Sequence, residues 1–184
     1  MKTDVTKVMV EEHQLILRMI ALVEKHTALL EAGRFYNWYF YLDAVDFIRN
    51  FADRFHHAKE EDVLFVELVK NGMPEKQSPI EAMHMEHEQG RAHVRGMEDA
   101  ARKALAGEPG QIPAIAAHAR GYAQLLRGHI DKEDQILYPL AERILPETVR
   151  PGMLAAYAAA EARTPELEEK YRQLVEQYER QAAA

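Results

Sequence analysis

Apolar residues recur every three to four positions along most of the chain, a spacing typical of amphipathic helices. Few segments alternate between apolar and polar residues, and no hairpin dipeptide joins two such segments, so the pattern predicts an all-α fold. Glycine and proline are concentrated at a few points that separate the helical stretches. The predicted helices cover about residues 6–31, 36–70, 78–107 and 113–145, with a bend at Pro139, and then 153–163 and 165–181.

Four helices of roughly 25–35 residues joined by short loops predict an up-down-up-down four-helix bundle over residues 1–145. The two shorter helices form a predicted C-terminal extension over residues 146–184. Its last helix carries an apolar stripe that consists of Leu167, Tyr171, Leu174, Val175 and Tyr178. We expect this stripe to pack on the bundle or on a second subunit, so the sequence leaves a homodimer open and identifies no protein partner.

Composition adds mainly exclusions. The 184 residues include 23 Lys and Arg against 30 Asp and Glu, and the net charge of -7 argues against nucleic acid as a partner. No apolar run approaches the ~20 residues that span a bilayer, and the first residues form no signal core, so we expect a cytoplasmic protein without a membrane partner. The absence of cysteine excludes disulfides, thiolate metal sites and thiol catalysis.

Nine histidines remain to be explained, and an internal repeat selects among them. Each half of the repeat carries a Glu-His dipeptide and, later, a His-x-x-x-Glu segment that leads into an aliphatic and aromatic run. The dipeptides are Glu12-His13 and Glu86-His87, and the segments begin His56-His57-Ala58-Lys59-Glu60 and His129-Ile130-Asp131-Lys132-Glu133. The dipeptide histidine precedes the segment histidine by 43 positions in one half and by 42 in the other, so two helical hairpins repeat nearly one register.

Helix phase indicates which of these side chains point into the bundle, because residues three, four and seven apart share one face of a helix. Apolar residues take those positions around His13, His56 and His129, and the glutamate of each segment lies one turn after its histidine. His57 instead shares its line with polar residues only, which are Asp46, Asn50, Asp53 and Glu61. We therefore predict that His56 faces inward and that His57 lies on a solvated face.

Six polar groups on the core-facing stripes need a physical reason. A buried carboxylate is costly unless it is paired or binds a metal, and two at one level repel each other unless cations lie between them. Imidazole and carboxylate ligands suit iron, manganese or zinc, and shared carboxylates favour two ions. The predicted metal ligands are His13, His56, Glu60, His87, His129 and Glu133. The alternative is a set of ordinary core histidines hydrogen-bonded to the two glutamates.

These motifs, over roughly residues 8–145, resemble the hemerythrin-like domains with the HHE cation-binding signature. The resemblance implies a four-helix bundle with a non-haem di-iron centre, bridged by oxo or hydroxo, that reacts with O2, NO or peroxide. It assigns His13 and His56 to one iron, and it assigns two further histidines, His87 and His129, to the other. The glutamates of the two segments would then bridge the irons.

Two positions have to be compared with the oxygen carriers of this family. The carriers have His-x-x-x-His on the third helix, whereas here Met83 lies four positions before His87 and the extra histidine, His84, is shifted by one. His84 could be a metal ligand, could contact the ligands without binding the metal, or could be exposed to solvent. The carriers also have an aspartate five positions after the last histidine, which Asp134 matches, but Glu133 matches the repeat and is the predicted ligand. Four histidines place the set closer to the sensor and repair members.

The function predicted from the sequence is a non-haem di-iron protein that binds, senses or reacts with a small oxidant. Iron donation for iron–sulfur cluster repair and reversible oxygen storage are alternatives. Turnover as an oxidase or peroxidase stays open, because no pocket for an organic substrate can be identified from the sequence. A bundle that is only stabilised by zinc is the last alternative.

Overall fold

The computed structural model describes residues 3–183, and within them helices are the only regular secondary structure. Helix α1 spans Lys7–Glu31, and α3 spans Pro79–Leu105. Helix α2 consists of Trp38–Phe47, Ile48–His57, Glu60–Leu64 and Phe65–Lys70 in succession, and α4 consists of Ile112–Lys132, Glu133–Leu137 and Tyr138–Ile144. Helix α5 spans Arg150–Glu161 and α6 spans Leu167–Ala183. The prediction of an all-α fold is confirmed.

Helices α1 to α4 form the predicted bundle. Helix α1 packs against α2 and α4, and α3 packs against the same two helices, so each helix lies beside its neighbours in the chain and α4 closes the ring. The chain first reverses its direction at Gly33, which has a φ of 68° that residues other than glycine seldom adopt. None of the helices in the described range is long and apolar enough to cross a membrane.

Parts of α2 and α4 are π-helical, which means that backbone N–H groups bond five residues back rather than four. Glu60–Leu64 and Glu133–Leu137 occupy the same place in the two halves of the repeat, immediately after the His-x-x-x segment. The second of them ends just before Pro139, which has no N–H to donate. A longer π segment, Ile48–His57, is present in α2 and has no counterpart in the described part of α4.

The apolar core consists of two clusters, and a polar layer separates them along the bundle. Ile16 and Phe51 belong to the larger cluster, whereas Met9 and Leu137 belong to the smaller one. His13 lies between Met9 and Ile16 on α1, at the level where the two clusters meet. The functional candidates are therefore enclosed at both ends by apolar side chains.

The C-terminal extension packs on the bundle of its own chain. Tyr171, Val175 and Tyr178 on α6 are buried in the larger cluster, and α6 contacts α1 and α2. Helix α5 packs on the π segment Glu60–Leu64 of α2. The apolar stripe of the last helix is thus covered within the same chain. The division of the chain after residue 145 and a homodimer stay predictions.

Candidate metal centre

The structure brings all six predicted ligands together in one layer, to which every helix of the bundle contributes. None of the six side chains belongs to a residue more than 2 % exposed. Helix α1 supplies His13, α2 supplies His56 and Glu60, α3 supplies His87, and α4 supplies His129 and Glu133. We call these six residues the polar layer. The helix phase therefore placed five of them on the correct face, and the repeat selected the sixth, His87.

The four histidines form two pairs across the bundle. The Nε2 atoms of His13 and His56 are 3.0 Å apart, and those of His87 and His129 are also 3.0 Å apart. Two nitrogen ligands about 2.1 Å from a shared ion are about 3.0 Å apart when they bind at a right angle. Each pair thus has a separation that is compatible with two ligands of a single metal ion.

The two carboxylates of the polar layer lie between the histidine pairs. Glu133 places one oxygen 3.4 Å from Nε2 of His13 and the other 3.0 Å from Nε2 of His129. Glu60 lies in the equivalent place, with Oε2 3.8 Å from Nε2 of one histidine of the first pair and 3.6 Å from that of one of the second. Each carboxylate therefore reaches both pairs, as a group shared by two ions has to do.

Three oxygens of these carboxylates have no hydrogen-bond partner among the described residues, namely Oε2 of Glu60 and both oxygens of Glu133. Buried carboxylate oxygens without partners are unfavourable unless a cation lies beside them. The donor set, imidazole nitrogen with carboxylate oxygen, is suited to iron, manganese or zinc. The residues of the polar layer thus fit a pair of metal ions.

Each histidine of the polar layer is held from behind by a carboxylate. The Nδ1 atoms of His13, His56, His87 and His129 lie 2.9, 2.8, 2.6 and 2.9 Å from Asp134, Glu12, Glu61 and Glu86, in that order. A carboxylate on Nδ1 keeps the proton there and leaves the lone pair of Nε2 for a metal. Lys59 and Lys132 in turn donate hydrogen bonds to Glu12 and Glu86. The repeat thus extends to the groups behind the ligands.

The carboxylates also shift the pKa values of the layer. Burial lowers the pKa of His13, but the hydrogen bond to Asp134 and the nearby carboxylate of Glu133 outweigh it and raise this pKa to about 9. Burial and the neighbouring Glu133 raise the pKa of Glu60 well above its usual value. Burial opposes ionisation of Glu133 too, but His129 and His13 hold its pKa well below the usual value. The two carboxylates therefore cannot both be ionised easily unless a cation joins them.

Tyr138 is a buried hydroxyl in contact with the polar layer that sequence reasoning did not locate. Its Oη donates a 2.7 Å hydrogen bond to Oε1 of Glu60, and its ring stacks on His13 with 5.6 Å between centroids. In the repeat Tyr138 aligns with Phe65, which has no hydroxyl. The available signal was the aromatic residue that closes each His-x-x-x-Glu segment.

His57 corrects the prediction of a solvated face. It is only 6 % exposed, and its ring stacks on His87 at 3.8 Å between centroids. The prediction assumed α-helical phase, whereas His57 ends a π segment, in which residues five apart come to one face. Five positions before it lies Ala52, which is fully buried. His57 has a nitrogen within 4.8 Å of ligand atoms of Glu60 and of the second histidine pair, so it is a further candidate ligand.

Asp134 and His84, which the sequence left undecided as metal ligands, lie in different places. Asp134 lies behind His13 with a partly exposed side chain, whereas Glu133 is in the polar layer. His84 has a side chain that is 47 % exposed, with Nδ1 4.0 Å from Glu61. His84 therefore lies outside the polar layer, on the side of His87 that faces away from it.

Comparison with known proteins places this geometry in a family. No curated protein and no solved structure matches the chain. The family model of the hemerythrin HHE cation binding domain matches residues 4–141, which include the whole polar layer and Tyr138. The chain belongs to the hemerythrin HHE cation-binding family.

Proposed function

We propose that the polar layer binds two iron ions and that this centre binds, senses or reacts with a small oxidant such as O2, NO or peroxide. The observation that carries the proposal is the arrangement of two Nε2 pairs, each with 3.0 Å between nitrogens, around carboxylate oxygens that have no hydrogen-bond partner among the described residues. Iron in such a site supplies redox chemistry and a coordination position for a small molecule.

In this proposal the first ion is held by His13 and His56, and the second by His87 and His129. Glu60 and Glu133 are shared between them. The carboxylates behind the histidines hold each imidazole in the tautomer that offers Nε2, which raises its basicity and fixes its direction. The two apolar clusters enclose the layer at both of its ends along the bundle.

Two further side chains make the proposed ion sites unequal. His57 adds a third imidazole near the second pair, whereas Tyr138 places a hydroxyl near the first. The hydroxyl of Tyr138 donates its hydrogen bond to Glu60, a residue of the layer. We propose that His57 completes the ligand set of the second ion and that Tyr138 holds Glu60 in position.

Burial favours a resident metal over iron donation for cluster repair or an ion in rapid exchange. The six residues of the layer are at most 2 % exposed, so an ion held between them would have little contact with solvent and would exchange slowly. The release of iron to a chelator, compared with the rate of reaction with peroxide or NO, distinguishes these functions. Stoichiometric reaction without turnover favours sensing or storage, and repeated consumption of peroxide favours an enzyme.

The test is anaerobic loading with Fe(II), followed by metal analysis and by visible spectra in air and with azide. We expect two irons per chain and charge-transfer absorption that azide alters. The matched control is His84→Ala, which removes a partly exposed histidine outside the layer and should hold as much iron as the unchanged chain. Well under two irons per chain, or zinc that iron cannot replace, contradicts the proposal.

A further inference from the structure

A cavity of about 250 Å³ lies beside the polar layer, between α2, α3 and α4. His57 and His87 line the end of the cavity that is nearest the layer. Ile48, Val94 and Leu126 supply apolar wall. The cavity therefore lies against His87 of the second histidine pair and against His57, in a partly apolar space.

Four arginines line this cavity in a chain whose net charge is -7. Arg91 is paired with Asp53 and Glu61, and Arg49 is paired with Glu98. The other two are Arg54 and Arg95, which are exposed and have no ion pair among the described residues. The carboxylates that line the cavity, Asp53 and Glu86, already have cationic partners. The free positive charge of the cavity thus lies on Arg54 and Arg95.

We propose that this cavity binds a small organic anion, a monocarboxylate with a compact apolar body. The body would contact the apolar wall, and the carboxylate would pair with Arg54 and Arg95, since guanidinium groups bind carboxylates through paired hydrogen bonds. Anion binding itself does not depend on the proposed function. Only its consequence does: an anion bound here would lie against His87 and would limit access to the second proposed ion. O2, NO and peroxide are much smaller than this cavity.

Gly90 forms part of the cavity wall and offers a way to narrow it. A Cβ atom at Gly90 would be 3.7 Å from the Tyr122 ring and 3.9 Å from Leu125, which is ordinary contact. Alanine therefore fits without moving its neighbours and adds a methyl group beside Tyr122, which also lines the cavity. Gly128 on α4 provides the matched control, because a Cβ atom there meets nothing within 4 Å and the residue does not line the cavity.

The test is equilibrium dialysis of the full chain with radiolabelled benzoate, both before and after iron loading. We expect saturable binding of one benzoate per chain and much weaker binding of benzyl alcohol, which has similar size and no charge. The double variant Arg54→Gln/Arg95→Gln should weaken benzoate binding by about tenfold or more, since it removes charge-assisted hydrogen bonds. Arg34→Gln/Arg143→Gln removes the same charge elsewhere on the surface and should leave binding unchanged.

Gly90→Ala should weaken benzoate binding, whereas Gly128→Ala should not. Equal binding of benzoate by the Arg54/Arg95 variant and the unchanged chain, equal binding of benzyl alcohol, or no binding at all overturns the inference. A chain that holds two irons but no benzoate would leave the proposed function intact. A chain that binds benzoate without holding iron would overturn the proposed function but would support anion binding in the cavity.

Discussion

The two halves of the repeat build similar surroundings for the two histidine pairs but differ where a small molecule would approach. Aligned residues with matching chemistry are Glu12 and Glu86, His13 and His87, His56 and His129, Lys59 and Lys132, Glu60 and Glu133, and Glu61 and Asp134. The halves differ at two positions next to the layer, His57 against Ile130 and Phe65 against Tyr138. The symmetric residues orient the ligands, and the asymmetric residues distinguish the two proposed ions.

The halves also differ in what covers them. Lys59 is buried by α5, where Glu161 accepts a 2.7 Å hydrogen bond from it, while the side chain of Lys132 is 41 % exposed. The arginine-lined cavity lies on the side of the second half, against His87. The C-terminal extension therefore covers Lys59 of the first half, whereas Lys132 of the second half stays partly exposed.

Removal of a carboxylate that lies between both histidine pairs should reduce metal binding in both halves of the repeat. We expect Glu60→Ala or Glu133→Ala to lose most of the bound iron, because each carboxylate lies between both histidine pairs. Metal analysis after desalting measures the loss. Asp131→Ala, at an exposed position two residues from Glu133, is the control and should bind as much iron as the unchanged chain. Loss of only one ion in the Glu60 variant would show that its carboxylate is not shared.

Removal of His57 should affect the second half alone. We expect His57→Ala to lose roughly one of the two proposed ions, since an imidazole that ligates one ion contributes little to the other. Metal analysis and the visible spectrum report the result. The control at the aligned position is Ile130→Ala, which should retain both ions while it lowers the free energy of unfolding by about 2–5 kcal/mol through a core cavity. Full iron content in the His57 variant would limit His57 to a packing role.

Substitution of Lys59 and of Lys132 tests whether α5 shields the first half of the repeat from solvent more than the second half is shielded. Lys59→Met leaves the buried carboxylate of Glu12 without its lysine, so we expect the free energy of unfolding to fall by roughly 3–5 kcal/mol. Lys132→Met removes a partly exposed ion pair and should cost about 0–1 kcal/mol. Urea denaturation at matched metal content compares the two. Equal losses would mean that α5 does not shield Lys59 in solution.

Exchange of the aromatic residues should give the smallest effect. Tyr138→Phe removes the hydrogen bond to Glu60 but keeps the ring, and we expect two ions still to bind, with affinity about 10–100-fold weaker. Competition with a chelator measures the affinity. Phe65→Tyr adds a hydroxyl at the aligned position and is the matched control, with a change of less than about tenfold expected. An unchanged affinity in Tyr138→Phe would show that Glu60 does not depend on this hydrogen bond.

The layer itself could be predicted from the sequence because its residues recur in a repeat and lie on apolar stripes. Helix phase then needs only the spacing of residues such as His13 and Ile16, which regular α-helix preserves. His57 was missed because the same argument assumes one helical pitch throughout α2. The π segment that ends at His57 changes that pitch, and nothing in the local spacing of polar residues marked where it begins.

The sequence by itself determined the all-α fold, the four bundle helices and the six residues of the polar layer, because hydrophobic periodicity and a repeated motif are local properties of the chain. Only the tertiary structure decided what surrounds that layer. The contact of Tyr138 with Glu60, the cover of α5 over Lys59 and the cavity beside His87 join segments far apart in the chain. Such contacts depend on how helices pack against one another, and no short sequence pattern encodes that packing.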